Sequence, residues 1–252
     1  MRESSLNDVG GPVSTPVSAS GAKARRMSDV VVAAPLRLEA LAIKAGGRRL
    51  RVYKTGMGPA RSHAAIARLR SDPAAALVVM GVCGGLDERC EPGEVVIADE
   101  LLDGERVADD RVACPSAGPL GEALERRGIA VRRGAVVSVA RIAHGEKRVE
   151  LRERGAIVVD MESAWLAEGA QGRPLAVIRV VADTPSREVT RPLLTLVGAA
   201  RAALSLRRVA AVLEELVCEQ GAHTVLGGGG SGPRDPSNGP MASERGRDGG
   251  SG

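Results

Sequence analysis

The chain has 252 residues, enough for one large α/β domain or two small ones, and its apolar fraction of 44% is ample for a core. With no Phe, one Trp (Trp165) and one Tyr (Tyr53), any flat ligand must rest mostly on aliphatic or Met side chains. The net charge of +4 arises from basic residues interleaved with acids rather than from a Lys/Arg block, and without stacking aromatics it argues against nucleic-acid binding.

In chain order, residues 1–28 are rich in Ser, Gly and Pro and lack apolar periodicity, so they are expected to be disordered. Strand Val30–Ala34 is followed by helix Leu36–Ala45 and strand Leu50–Lys54, which ends in the glycine turn Thr55-Gly56-Met57-Gly58. Pro59 then opens a helix over Ala60–Arg70. Ala76–Met80 reads as a buried strand ending at Gly81, with Gly84-Gly85 just beyond, and Glu94–Asp99 as another after the Pro92-Gly93 turn. Helix Leu120–Arg127, strand Val131–Val139 (interrupted at Gly134) and helix Gly145–Arg154 come next. Strand Ile157–Val159, helix Glu162–Ala170, strand Leu175–Ala182 and a long helix within Pro192–Cys218 complete the series. Such alternation implies a mainly parallel sheet covered on both faces. Residues 29–222 are expected to form one domain, and residues 223–252 a disordered Gly/Pro/Ser-rich tail.

Several chemistries lack their signatures. Cys83, Cys90, Cys114 and Cys218 form no C-x-x-C pair, and His63, His144 and His223 are scattered, so neither a zinc site nor a disulfide framework is indicated. No metal or other cofactor is expected. No apolar run reaches the roughly 18 residues of a membrane span, and residues 1–28 have no signal-peptide core; a cytoplasmic protein with reduced thiols is the expectation. The turn Thr55-Gly56-Met57-Gly58-Pro59-Ala60 matches a dinucleotide-binding fingerprint only in part. Arg61 stands at the third glycine position and no acid ends the next strand, which argues against a dehydrogenase.

The informative residues are acids at strand ends. Asp160 and Glu162 follow Ile157-Val158-Val159, and Asp183 follows the run ending at Ala182. Glu39 lies in the first turn after the first strand. Each has an ordinary explanation as a helix cap, a dipole partner or a turn former. In an open α/β sheet, however, ligands sit outside the carboxyl ends of the strands, and all four acids fall at that edge. Carboxylates there suit cleavage through a cationic, sugar-like transition state. His144, before Gly145, reads as a turn residue, and Trp165 as packing.

Segments spread over about residues 30–200 resemble the purine and uridine phosphorylase superfamily, which includes the nucleosidases: Pro35-Leu36-Arg37-Leu38-Glu39, the turn at Gly56–Gly58, Gly81-Val82-Cys83-Gly84-Gly85-Leu86, Pro92–Asp99, Val159-Asp160-Met161-Glu162-Ser163, and Arg179 through Asp183. Among its branches, the combination most resembles the one associated with hopanoid biosynthesis, which acts on adenosylhopane. The resemblance implies a three-layer α/β fold with a central mixed, mainly parallel sheet.

It further implies that Glu162 binds the ribose hydroxyls while Met161 packs on the sugar. Asp183, protonated, would donate to N7 of the purine, and Cys83 and Gly84 would lie along the ligand. Aliphatic residues near Ile142 stand where some relatives carry a base-stacking aromatic. Glu39 matches the acid that orients water in nucleosidases, whereas Arg37 resembles a phosphate contact of phosphorylases. The second phosphate arginine and its hydroxyl partner are absent, Val79 and Val82 standing in those places, so water is the favoured nucleophile and phosphate the alternative. The resemblance implies a nucleoside as substrate and a homodimer or higher homo-oligomer. A non-catalytic nucleoside-binding protein on the same fold is the other reading; the presence of Glu39, Glu162 and Asp183 together argues against it.

Overall fold

The computed structural model describes residues 29–106, 110–184 and 192–227, so the expectations for residues 1–28 and 228–252 lie outside the described residues. The strands are β1 (Val30–Ala34), β2 (Arg51–Lys54), β3 (Ala76–Gly85), β4 (Val95–Asp103), β5 (Arg111–Ala113), β6 (Val131–Ser138), β7 (Ala156–Asp160) and β8 (Leu175–Asp183). The helices are α1 (Arg37–Gly46), α2 (Pro59–Ser71), α3 (Ala117–Arg126), α4 (Glu146–Glu153), α5 (Ser163–Leu166), α6 (Pro192–Gln220) and α7 (Ala222–Leu226), with a 3-10 turn at Ala167–Ala170.

The sheet is mixed. β2, β1 and β3 run parallel, β8 lies parallel to β3, and β4, β6 and β7 are parallel to one another. Antiparallel pairings join β3 to β7, β4 to β5, and β4 to β8. Because β8 pairs with both β3 and β4, strands β3, β8, β4, β6 and β7 close into a ring from which β1–β2 and β5 extend. The central strands are buried on both faces, which explains their unbroken apolar runs. In β1, Val30, Val32 and Ala34 join a core with residues of α1, α3, α6 and α7, while Val31 and Ala33 join the opposite core with Leu69 of α2 and Leu166 of α5.

β3 is the element that positions the site. Its first half lies between β1 and β8. β1 ends at Ala34, and on that same flank β7 arrives from the opposite direction, pairing Val159 and Val158 with Gly84 and Gly85. The carboxyl ends of β1 and β7 therefore face each other across residues 81–83 of β3. A change of strand direction of this kind opens a crevice.

Four expectations are corrected. The central strand continues past Gly81 to Gly85, because the glycines pair with β7 instead of turning. Strand β6 runs unbroken through Gly134, where a Cβ would lie 2.5 Å from Ile157 Cδ1. The helix expected over Glu162–Ala170 is a single α-turn followed by a 3-10 turn. The folded body extends past residue 222, since α7 buries Ala222, Val225 and Leu226 against α3 and α6. The short exposed strand β5 had no apolar alternation to announce it. All four cysteines are free, and among the described residues no helix is long and apolar enough to cross a membrane.

Candidate active site

A cavity of about 160 Å³ opens where β1, β3, β7 and β8 end. Its lining includes Glu39, Asp160, Glu162 and Asp183, the four acids singled out in the sequence, together with Met161, Cys83, Gly84 and Ile142. Leu36, Met57 and Ile142 also line it and are exposed, giving the cavity an apolar rim. Arg37 is not part of this lining and is exposed. Its backbone lies at the start of α1, but it is the next inward-facing position, Glu39, that turns toward the cavity. Arg37 therefore contributes nothing to this lining. His144 is exposed beside Gly145, and buried Trp165 donates its indole N–H to Asp103 Oδ2 at 3.1 Å.

Glu39 is fixed at both oxygens. Oε2 accepts from the Leu36 N–H at 2.6 Å, closing the first turn of α1, and Oε1 accepts from the Val82 N–H of β3 at 2.8 Å. Burial pushes its pKa up, against the opposing pull of Arg179 and of those two N–H groups. A first-turn acid that merely served the helix dipole would face solvent; Glu39 is 4% exposed.

Asp160 organises the turn after β7. Its Oδ1 accepts from Ser138 Oγ at 2.5 Å and from the N–H groups of Glu162 and Ser163 at 3.1 and 3.2 Å. Its Oδ2 lies 2.7 Å from Arg179 Nε. Asp160 thus does cap the following turn, as its position allowed, while holding a buried guanidinium. Glu162 occupies the N-cap position of α5 and points into the cavity, where Oε1 accepts from the Gly58 N–H at 3.3 Å and Oε2 lies 3.5 Å from Arg179 Nη2. Burial raises the Glu162 pKa to about 7 despite Arg179, with Asp160 and Glu39 adding to the rise.

Arg179 is wholly buried beneath these acids and also donates from Nε and Nη2 to Ser163 Oγ at 3.0 and 2.8 Å. Burial alone would lower its pKa, but Asp160, Glu162 and Glu39 hold it above the usual value. The glycines of β3 make room for these groups. A Cβ at Gly81 would sit 2.7 Å from Arg179 Nη1 and 2.8 Å from Glu39 Oε1, and one at Gly84 would sit 3.0 Å from Arg148 Nη2.

Arg148 was not singled out in the sequence. It lies in α4 within the heavily charged run Glu146-Lys147-Arg148-Val149-Glu150, where no periodicity distinguishes it. The one available sign is Leu151 three residues on, which shares its buried face. Arg148 is 4% exposed, donates from Nε to Ala143 O and from Nη1 to Gly85 O, each at 3.0 Å, and pairs through Nη2 with Asp183 Oδ2. An opposite charge in contact favours the ionised carboxylate. Arg148 thus contacts the Asp183 carboxylate directly.

No curated protein matches the chain. Among solved structures, the 5′-methylthioadenosine/S-adenosylhomocysteine nucleosidase of Neisseria meningitidis, in complex with methylthio-immucillin-A, superposes with a TM-score of 0.63 at 21% identity, covering 74% of this chain and 99% of that one. The futalosine hydrolase of Helicobacter pylori gives 0.64 at 17% identity, covering 77% and 98%. The S-adenosylhomocysteine nucleosidase of Streptococcus pyogenes gives 0.61 at 19%, covering 74% and 96%. At these identities the likeness establishes a shared α/β fold with a mixed central sheet. A family model described as the Phosphorylase superfamily matches residues 22–217, well over half of the chain, and the chain belongs to that superfamily.

Proposed function

We propose that this protein hydrolyses the N-glycosidic bond of an adenosyl compound and releases adenine. The observation that carries the reading is the convergence of Glu39, Asp160, Glu162 and Asp183 on one cavity whose lining, among the described residues, contains a single cation, Arg148. A departing base leaves the sugar cationic, and fixed negative charge in a water-poor cleft stabilises charge of that sign as it develops. Glu162 accepts hydrogen bonds from the 2′- and 3′-hydroxyls, with Met161 against the sugar. Glu39, held by the Leu36 and Val82 N–H groups, orients and deprotonates the attacking water. Asp183 and its partner Arg148 meet the base.

Water is favoured over phosphate by the same charges. A dianion would enter a site of four carboxylates whose one lining guanidinium is already engaged by Asp183, while Arg37 lies outside the lining. Anion clamps in proteins rely on free, bidentate guanidinium groups. The neighbouring structures named as nucleosidases and as a hydrolase are consistent with this choice.

The exposed apolar rim of Leu36, Met57 and Ile142 supports a bulky apolar substituent at C5′, in line with adenosylhopane as the substrate. The test is product analysis with adenosylhopane and 5′-methylthioadenosine side by side. Preferential adenine release from the former is expected. Equal or better turnover of the latter would remove the hopanoid assignment and leave the nucleosidase reading, and no adenine from either would argue for a non-catalytic binding protein.

A further inference from the structure

Arg179 lies between two carboxylates and sits closer to one of them. Its Nε is 2.7 Å from Asp160 Oδ2, whereas its Nη2 is 3.5 Å from Glu162 Oε2. A charge-assisted hydrogen bond spans about 2.7–2.9 Å, so Glu162 is held at arm's length. The N–H groups of Nε and Nη2 go to Ser163 Oγ at 3.0 and 2.8 Å, and one on Nη1 goes to Val82 O at 3.3 Å. With the Nε hydrogen directed at Ser163, the contact with Asp160 is one of charge, and Oδ2 accepts no hydrogen bond among the described residues. Asp160 Oδ1, by contrast, accepts from the backbone N–H of Glu162 at 3.1 Å.

Asp160 thus fixes the backbone of Glu162 with one oxygen and draws the guanidinium with the other. We propose that Asp160 is the positioning residue for Glu162, occupying Arg179 so that the Glu162 carboxylate keeps its charge uncompensated and its Oε2 open to the substrate. The inference rests on the nucleosidase reading and deepens it. A carboxylate closed onto a guanidinium by two short bonds spends its lone pairs there. Held off at 3.5 Å, Glu162 retains them for the sugar hydroxyls and its charge for the cation that develops at C1′.

The charged and titratable groups facing Glu162 in and beneath the cavity are Arg179 and Asp183 of β8, Asp160 of β7, Glu39 of α1, the Cys83 thiol of β3 and Arg148 of α4. Burial is the largest cause of the raised Glu162 pKa; Arg179 opposes it, and the charge of Asp160 adds to it. Asp160→Asn acts on the last two in the same direction. Oδ1 receives Ser138 Oγ–H and the N–H groups of Glu162 and Ser163, so an asparagine keeps its oxygen there and turns its amide N–H groups toward Arg179 Nε. Donor against donor pushes the guanidinium toward Glu162, while the repulsion from residue 160 is gone. Both changes favour the ionised form of Glu162.

The test is the pH dependence of kcat/KM for adenine release. The wild-type rate is expected to fall as pH drops through about 7, where Glu162 takes up its proton. In Asp160→Asn this acidic limb should move down by about one pH unit or more, the scale of one charge a few ångströms away, and kcat should fall as Arg179 captures Glu162. A folded variant with lowered kcat and an unmoved limb would make Asp160 a structural residue only and overturn the proposal.

Ser163→Ala is the second arm and decides the matter if Asp160→Asn does not fold. It removes two hydrogen bonds from Arg179 but no charge, so with Asp160 in place the limb is expected to stay near pH 7. A downward shift in this variant would show that Ser163, not Asp160, keeps the guanidinium from Glu162, and would overturn the proposal. Absence of adenine release from the wild type at every pH would instead sink the nucleosidase reading and this inference with it, an outcome distinct from an active enzyme whose limb does not respond to residue 160.

Discussion

At the residue scale, the four acids differ in their partners, and the proposed hydrolysis gives them different roles. Glu39 is held by two backbone N–H groups and no direct guanidinium contact, which suits a base that must take a proton from water. Glu39→Gln is expected to lower kcat by about 10²–10⁴, the usual worth of a positioned acid or base. Near-normal release by the folded variant would take Glu39 out of the reaction. In the proposed reaction Glu162 acts as a carboxylate, and its pKa is raised from 4.5 to about 7 chiefly by burial. The proton is therefore taken up as pH falls through about 7, and kcat/KM is expected to decline across that range. A decline confined to the ordinary carboxylate range near 4.5 would contradict a desolvated Glu162. A 2′,3′-dideoxy substrate, lacking the hydroxyls, should be less sensitive to Glu162→Gln than the ribo form. The identities of these acids were legible in the sequence because they stood at strand ends. Arg148 was not, since burial of a single arginine in a charged helix depends on which face the tertiary fold covers.

At the element scale, β3 joins fold and chemistry. Its apolar half, Ala76–Met80, fills both cores, and its glycine half gives up side chains so that Arg179, Glu39, Arg148 and Asp183 can close on the backbone. The apolar half was readable from composition. The glycine half falls outside the strand expected from sequence, because in isolation a run of glycines carries no signal for the strand pairing with β7 that keeps it extended. Gly81→Ala tests the close approach. Its Cβ would meet Arg179 Nη1 at 2.7 Å and Glu39 Oε1 at 2.8 Å, so both charged groups must move. A stability loss of about 1–3 kcal/mol, as for overpacked interiors, is expected together with a fall in kcat, measured by denaturant titration and by adenine release. Unchanged activity in this variant would mean that the position of Glu39 is not critical.

At the scale of the whole molecule, strand and helix alternation disclosed the layers, but not the ring formed when β8 pairs with both β3 and β4, since pairings between distant strands leave little trace in local sequence. The C-terminal boundary was misplaced for a related reason: α7 is too short to show periodicity, and its burial of Val225 and Leu226 is set by α3 and α6. Ending the chain at Gly221 is expected to destabilise the fold by roughly 3 kcal/mol, from the two large apolar side chains alone; an unchanged unfolding midpoint would show that α7 contributes nothing to the core. The cavity that this architecture builds is rich in carboxylates, and that feature bears on the identity of the nucleophile. The most direct measurement is adenine formation from an adenosyl substrate as a function of phosphate concentration, with mass analysis of the sugar product. Release at full rate without phosphate, giving the free ribosyl product, is expected. A rate that vanishes without phosphate, with a product carrying a 1-phosphate, would contradict the hydrolytic reading.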